Sequence, residues 1–377
     1  MRAAVLVDTG KLEIRDAPMP QLEPYQVLVR TTGVGICGTD LHIYGGSANY
    51  NRDAGGRPIS LRVQPQILGH EVSGVIEDVG SEVRDLEPGD RVAIDQGLNC
   101  VSQRITPVCE YCETGDSHQC LNYKEHGITG LPGGFAEYLA IAAVNAVRVE
   151  GEVPRAELAF VEPLACVLHS LEFAERAAVR YALKGPRLAR HVMILGAGPA
   201  GILFLQCLRN VYRFDGAVLV ADINARKLAL AESFGATVLQ CTGEELVEET
   251  LQRTHGEKTY YLVEATGTGA VFHFLPGLLR KQATVVLYGH GHEGADMTLL
   301  NYLQFLEPSL VSSVGASGGF DTDGRPLIYR TAMRHLVSGR VRVGPLITHP
   351  CDFHTLPGIF AREYASPDFM KAVLLPN

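Results

Sequence analysis

The 377-residue sequence has no block of like charges, and its 33 Lys and Arg are interspersed with 42 Asp and Glu for a formal net charge of −9. Such a balance offers no electrostatic footprint for phosphate backbones or anionic lipid, so nucleic acid and membrane surfaces are excluded as partners. A membrane-spanning run is also missing. The most apolar long stretch, Val192 to Leu208, is interrupted by three glycines, a proline and Gln206. Met1 to Val7 is strand-like and has no signal-peptide layout, which predicts a cytoplasmic protein. Internal repeats and low-complexity segments are absent. Nine cysteines is an odd number for a chain without an export signal, so thiols and metal ligands are expected rather than a disulfide framework.

Hydrophobic content of 46% over this length predicts two globular domains. Residues 1–165 show short alternating or β-branched runs, among them Gln26 to Thr32, Glu71 to Val79 and Arg91 to Asp95, separated by Pro-Gly and Gly-Asp turn signals. Residues 166–315 switch to apolar strands at Val192 to Leu195, Ala217 to Ala221, Tyr260 to Glu264 and Ala283 to Tyr288. Each is followed by glycine or a charged helix, the pattern of a parallel α/β sheet. The tail 316–377 returns to mixed, proline-punctuated sequence, with a helix expected over Arg330 to Ser338 and a strand over Lys371 to Leu375. The segment Ile43 to Gln66 has little regular pattern and reads as a pocket wall and a subunit contact.

Two groups of side chains have metal-ligand chemistry. Cys37, His70 and Glu71 offer a thiolate, an imidazole and a carboxylate; a mixed set of this kind usually leaves a position open for water or substrate, which marks a catalytic zinc site. Cys100, Cys109, Cys112 and Cys120 form a Cys-x8-Cys-x2-Cys-x7-Cys cluster, which suits a closed tetrahedral zinc site.

A third signal is Gly196-Ala197-Gly198-Pro199-Ala200-Gly201, which follows the strand His191 to Leu195 and opens the apolar helix Ile202 to Leu208. The first glycine permits the tight turn, the second lets a pyrophosphate approach the backbone, and the third allows close helix packing. Asp222 lies 21 residues beyond Gly201 at the end of the next strand, where a carboxylate bonds a ribose 2′-hydroxyl and repels a 2′-phosphate. NAD is therefore expected over NADP, although Arg226 and Lys227 lie close by. Thr266, with Gly267 beside it, and Tyr288, Gly289 and His290 fall at the ends of later strands, where the cofactor crevice of a parallel sheet lies.

Taken in order, Cys-Gly-Thr-Asp-Leu-His (37 to 42), Gly-His-Glu (69 to 71), the four-cysteine lobe, Gly133 to Tyr138, Val161-Glu162-Pro163-Leu164 and the glycine fingerprint resemble the zinc-dependent medium-chain dehydrogenases. The flavour is that of the sorbitol (polyol) and threonine dehydrogenase branch. The resemblance covers nearly the whole chain. It implies a β-rich GroES-like catalytic domain over 1–165, completed by the tail 316–377, and a Rossmann doubly wound parallel sheet over 166–315 that binds NAD. It implies one catalytic zinc at Cys37, His70 and Glu71, with Glu162 as an exchangeable or water-linked fourth ligand, and one structural zinc. It further implies a proton relay through Thr39 and His42, a small alcohol or ketone as substrate, and a homodimer or homotetramer. The lobe departs from the family's spacing in six extra residues within Val101 to Val108.

The activity so implied is hydride transfer between NAD and a secondary alcohol such as a polyol, a sugar or a threonine-like hydroxy amino acid. The competing readings are a non-catalytic NAD-binding protein, a zinc-free quinone or enoyl reductase, and a threonine 3-dehydrogenase. Cys166, His169, the run His290 to Glu293 and the run His349 to His354 also carry ligand-type side chains. The helical residues read as packed and the two histidine runs as loops.

Overall fold

The computed structural model of the protein describes residues 1–316 and 319–376, so Ser317, Gly318 and Asn377 of the tail lie outside the described residues. The chain divides into two compact units, Met1–Ala165 with Ala316–Asn377, and Cys166–Gly315.

In the first unit the hub is the strand Gln26–Gly35, whose Val27, Val29 and Thr31 are buried while Arg30 is exposed, the period-two alternation of a half-buried strand. It pairs antiparallel with Glu71–Val79, with Tyr138–Ala142 and, at its end, with the tail strand Lys371–Leu374. Arg91–Ile94 and Ala146–Arg148 extend the sheet on one side. On the other side Ile347–Cys351 runs parallel to the tail strand and takes up His349, where a loop is expected from sequence; the edge of the tail strand provides the pairing. A smaller sheet joins Arg2–Asp8 to Lys11–Asp16 and Gln66–Ile67. Inside lie Leu6, Val29, Leu68, Ile76, Phe135, Leu139 and Phe360. The Phe135 ring meets Phe360 edge-on, with centroids 5.8 Å apart. It also covers Gly69, which has φ +90 and where a Cβ would come within 2.7 Å of the ring. The glycine of Gly-His-Glu is thus fixed by packing and backbone conformation together.

The second unit is a six-stranded parallel sheet. In chain order its strands are His191–Leu195, Ala217–Ala221, Thr237–Leu239, Thr259–Glu264, Leu279–Leu287 and Ser309–Ser312; counted from the first, their spatial order is 3-2-1-4-5-6, the doubly wound arrangement of a dinucleotide fold. Met193, Leu219, Leu262 and Val285 are buried on one face and Val192, Val218 and Tyr261 on the other, as expected of a sheet that is apolar on both faces. The strand expected from Ala283 begins at Leu279 and passes through Gln282, whose φ of +58 breaks its regular pattern. The helix expected over Ile202 to Leu208 spans Pro199–Gln206 and widens into a π-type turn at Cys207–Val211.

Candidate functional site

The metal-ligand candidates of the first unit sit where helix and sheet meet. Cys37 is the N-cap of the helix Gly38–Gly45, and Asp40 reaches back to accept a hydrogen bond from the Cys37 backbone N–H at 2.9 Å. The same fully buried carboxylate accepts from Gly69 N–H at 3.1 Å and faces His70 Nδ1 at 3.5 Å, an electrostatic contact too long for a good hydrogen bond. Asp40 therefore ties the Cys37 backbone to the Gly69–His70 turn. One donor atom from each of Cys37, His70 and Glu71 lies within 4.8 Å of the others. Burial disfavours an imidazolium at His70, but the Asp40 and Cys37 charges outweigh it and raise its pKa well above the ordinary value. An excess of negative charge around a buried imidazole is what a bound cation would relieve.

Glu71 is held asymmetrically. Gly35 pairs with Glu71 on one side and with Val373 on the other, and the glutamate side chain lies across it; a Cβ on Gly35 would be 1.8 Å from Glu71 Oε2. From the far strand Lys371, 4% exposed, donates to Glu71 Oε1 at 2.5 Å. Among the described residues nothing hydrogen-bonds the buried Glu71 Oε2. A buried carboxylate oxygen with nothing to bond is costly, and a metal among Cys37, His70 and Glu71 would satisfy it. The donor set and its orphaned oxygen fit zinc.

Glu162 stands in the first turn of the helix Val161–Arg176, outside that group of three. It accepts from Gln96 Nε2 at 3.2 Å, and Gln96 Oε1 in turn accepts from the buried Tyr329 hydroxyl at 2.8 Å. Nearby, burial together with the Glu162 and Glu125 charges pushes Asp95 up to about 7. Thr39 Oγ1 lies 3.8 Å from Cys37 Sγ, and His42 Nδ1 lies 3.2 Å from Ser47 Oγ.

The four lobe thiols also converge, one sulfur each within 4.8 Å of the others, and Cys100 Sγ is 3.5 Å from Cys120 Sγ. The residues inserted after Cys100 loop out and return so that Cys109 N–H points at Cys100 Sγ from 3.4 Å, while Asn122 N–H points at Cys120 Sγ from 3.3 Å. Backbone N–H groups of Cys112 and Leu121 hold Cys109 down to about 6, and burial raises Cys112 and Cys120. Donors aimed at sulfur favour thiolates, so this donor set fits a closed zinc site.

In the second unit Gly196 takes φ +98, and a Cβ on Gly201 would lie 1.9 Å from Gly196 O, so both positions require glycine. A Cβ on Gly198 would meet nothing within 4 Å, which leaves the backbone open to a pyrophosphate. Pro199 and Ala200 open the helix behind it. Asp222 accepts from Ala197 N–H at 2.7 Å and from Asn224 N–H at 2.8 Å, which fixes the carboxylate beside the fingerprint. Asn224 caps the next helix by accepting from Arg226 and Lys227 N–H. These residues fit a dinucleotide. Thr266, Tyr288, Gly289 and His290 lie at the carboxyl edge of the fourth and fifth strands.

The alcohol dehydrogenase GroES-like domain model matches residues 23–151, and the zinc-binding dehydrogenase model matches residues 199–334. The chain is 32% identical to L-threonine 3-dehydrogenase of Anaeromyxobacter sp. over 290 residues, 75% of each chain. The chain belongs to the zinc-dependent medium-chain alcohol dehydrogenases. It is similar as well to sorbitol dehydrogenase of Arabidopsis thaliana, 29% identical over 360 residues that cover 93% of this chain and 88% of that one. The crystal structure of galactitol-1-phosphate dehydrogenase from Escherichia coli superposes with a TM-score of 0.80 at 26% identity, covering 100% of both chains. This family member is a zinc-dependent, NAD-linked oxidoreductase of secondary alcohols, and the non-catalytic reading is not favoured.

Asp40, Lys371, Gln96 and Tyr329 are site residues beyond those expected from sequence. Asp40 alone had a local signal, an acidic residue three positions after the N-cap Cys37, able to bond back to it. Cys166 and His169 are buried on the helix Val161–Arg176, and His169 packs against Phe173.

Proposed function

We propose that the enzyme oxidises a secondary hydroxyl of a polyhydroxy compound, a polyol or cyclic sugar alcohol, with NAD. Cys37, His70 and Glu71 hold the catalytic zinc, Glu162 serves as its exchangeable or water-linked ligand, and Cys100, Cys109, Cys112 and Cys120 hold the structural zinc. Gly196 to Gly201 and Asp222 carry the pyrophosphate and adenosine ribose, with Lys227 beside them; Thr266, Tyr288, Gly289 and His290 line the rest of the crevice. The zinc supplies Lewis acidity toward the substrate oxygen and NAD accepts the hydride. Asp40 orients His70 and the Cys37 turn, and Lys371 fixes one oxygen of Glu71 so that the other is free to bind. Thr39 takes the hydroxyl proton and passes it to His42, three residues on along the same helix face, from which it reaches solvent.

What supports the substrate class is the buried polar chain Tyr329, Gln96, Glu162, which brings hydrogen-bonding groups to the proposed fourth ligand. The buried Asn51 Nδ2, which has no hydrogen-bond partner among the described residues, adds a donor in the Ile43 to Gln66 segment. A cleft that bonds hydroxyls rejects analogues without them, because its own polar groups are then left unpaired. Polyhydroxy secondary alcohols should outperform ethanol and benzyl alcohol by about a hundredfold in kcat/KM. NAD should outperform NADP by about a hundredfold, through the Asp222 carboxylate. Steady-state kinetics over polyols, cyclitols, sugars and threonine with both cofactors tests this; preference for a simple primary alcohol defeats the polar-cleft argument. The 32% identity favours L-threonine as the second reading, and the same panel separates the two.

The cytoplasm and a homo-oligomer complete the proposal. Among the described residues no helix is long and apolar enough to cross a membrane. Among the described residues the sheet edge at Ser309–Ser312 has no strand on its outer side, and Tyr302, Phe305, Leu310 and Val314 are exposed near it in sequence, which supports pairing with a second copy. Light scattering measures the assembly.

A further inference from the structure

The second unit buries a carboxylate that neither the fingerprint nor the metal sites use. Glu264, the last residue of the strand Thr259–Glu264, is 0% exposed, and it faces the loops after two neighbouring strands. Its Oε1 accepts from Thr266 N–H at 2.7 Å, Gly267 N–H at 3.1 Å and the Thr266 hydroxyl. Its Oε2 lies 2.6 Å from His292 Nε2. An ionised carboxylate only accepts, so the ring nitrogen donates, which it does in the neutral Nε2–H form and in the cation alike.

The backbone repeats the link. Tyr288 and Gly289 N–H donate to Glu264 O at 3.0 and 2.8 Å, and His292 N–H donates to Gly267 O at 2.7 Å. The two loops touch so closely that a Cβ on Gly289 would lie 2.2 Å from Gly267 N, and one on Gly267 would lie 2.3 Å from His290 O. Thr266 Cγ2 in turn lies 3.1 Å from where a Cβ on Gly196 would stand. One buried carboxyl group thus fastens loop 265–269 to loop 288–293 at the carboxyl edge of the sheet, beside the first fingerprint glycine.

Position gives the staple its meaning. In a doubly wound sheet the first three strands form one mononucleotide-binding half and the next three form the other. Gly196 to Gly201 and Asp222 belong to the first half, and both stapled loops belong to the second. We infer that Glu264 and His292 are positioning residues for the nicotinamide mononucleotide half of the cofactor, holding the two loops at the spacing that receives it. This rests on the NAD reading proposed above.

The test measures binding without turnover: NADH by fluorescence and AMP by calorimetry, with wild type, Glu264→Gln, His292→Leu and His292→Gln. Loss of a buried charge-assisted hydrogen bond should weaken NADH by about tenfold or more in Glu264→Gln and in His292→Leu. AMP, which occupies only the adenosine half, should bind all variants within about twofold of wild type, since none of its contacts depends on the staple. His292→Gln keeps a donor and should bind NADH close to wild type. Should Glu264→Gln fail to fold, the two His292 variants carry the test. The inference is overturned if NADH and AMP weaken together, if NADH binding is unchanged in His292→Leu, or if His292→Gln loses as much as His292→Leu. A wild type that binds neither ligand removes the NAD reading and this assignment with it; a wild type that binds both, with variants that fail the split, removes the assignment alone.

Discussion

The two candidate metal sites of the first unit are built in opposite ways. The four-cysteine lobe is local: all its sulfurs come from Cys100 to Cys120, and the backbone N–H groups aimed at them come from Cys109, Cys112, Leu121 and Asn122. The Cys37, His70 and Glu71 group is assembled at long range. Its thiol sits at a helix N-terminus, its imidazole and carboxylate at a strand start, and its stays are Asp40 and a lysine 300 residues from Glu71 in sequence. The first set is made only of thiols, while the second leaves Glu71 Oε2 without a partner. A site that closes on itself staples a segment, whereas a site that depends on the surrounding fold can keep a carboxylate oxygen free for a metal.

The sharpest way to break this contrast is to remove one ligand from each site. Cys37→Ser should lower kcat/KM by at least about a thousandfold, the scale of several kcal/mol of Lewis-acid stabilisation, with the unfolding temperature nearly unchanged. Cys112→Ser should do the reverse, cutting zinc content to about one per chain and lowering the unfolding temperature by roughly 10 °C if about 3 kcal/mol is lost. Zinc analysis, calorimetry and kinetics on both variants decide it. If either variant lost both metals, the two sites would not be independent.

Legibility in the sequence follows the same divide. The glycine fingerprint and the lobe could be read because their geometry is set within about twenty residues by spacing alone. Cys37, His70 and Glu71 could be read as ligand types, and their convergence follows from the pairing of Gln26–Gly35 with Glu71–Val79, which brings Gly35 opposite Glu71. Lys371 could not, since only the register of the tail strand, Val373 opposite Gly35, carries it to the carboxylate. Gln96 and Tyr329, and the partner of His292, were invisible for the same reason: each contact is made through tertiary pairing that has no local periodicity. The edge strands Thr237–Leu239 and Ser309–Ser312 are too short for a pattern to emerge.

Lys371 allows the long-range side of the contrast to be sharpened. Its ammonium holds Glu71 Oε1 and so leaves Oε2 for the metal; a partner of this kind typically accounts for about ten- to a hundredfold in metal affinity. Lys371→Met should weaken the catalytic zinc by that factor in a competing-chelator titration and leave the lobe zinc in place. Lys371→Arg, which keeps the charge, should recover part of the loss. Equal retention of both metals in Lys371→Met would show that Glu71 needs no stay.

Where the long-range site meets solvent, the expected effects end with the smallest, at His42. Thr39 stands beside Cys37 Sγ at 3.8 Å, while His42, on the next turn of the same short helix, is only half-buried and has Ser47 at its ring. Thr39→Val removes the hydroxyl nearest the ligand thiol, and a methyl in its place blocks water from taking over. General acid–base loss there should lower kcat by about a hundredfold. His42→Ala opens space that water can fill, so its loss should be about tenfold. Water is a weaker base than imidazole, and the His42→Ala rate should therefore keep rising with pH above the range where a neutral imidazole would have saturated it. Added imidazole should restore part of the rate to His42→Ala and none to Thr39→Val. Equal losses in the two variants, or rescue of both, would mean that the proton leaves by another route and that the outer edge of this site carries no relay.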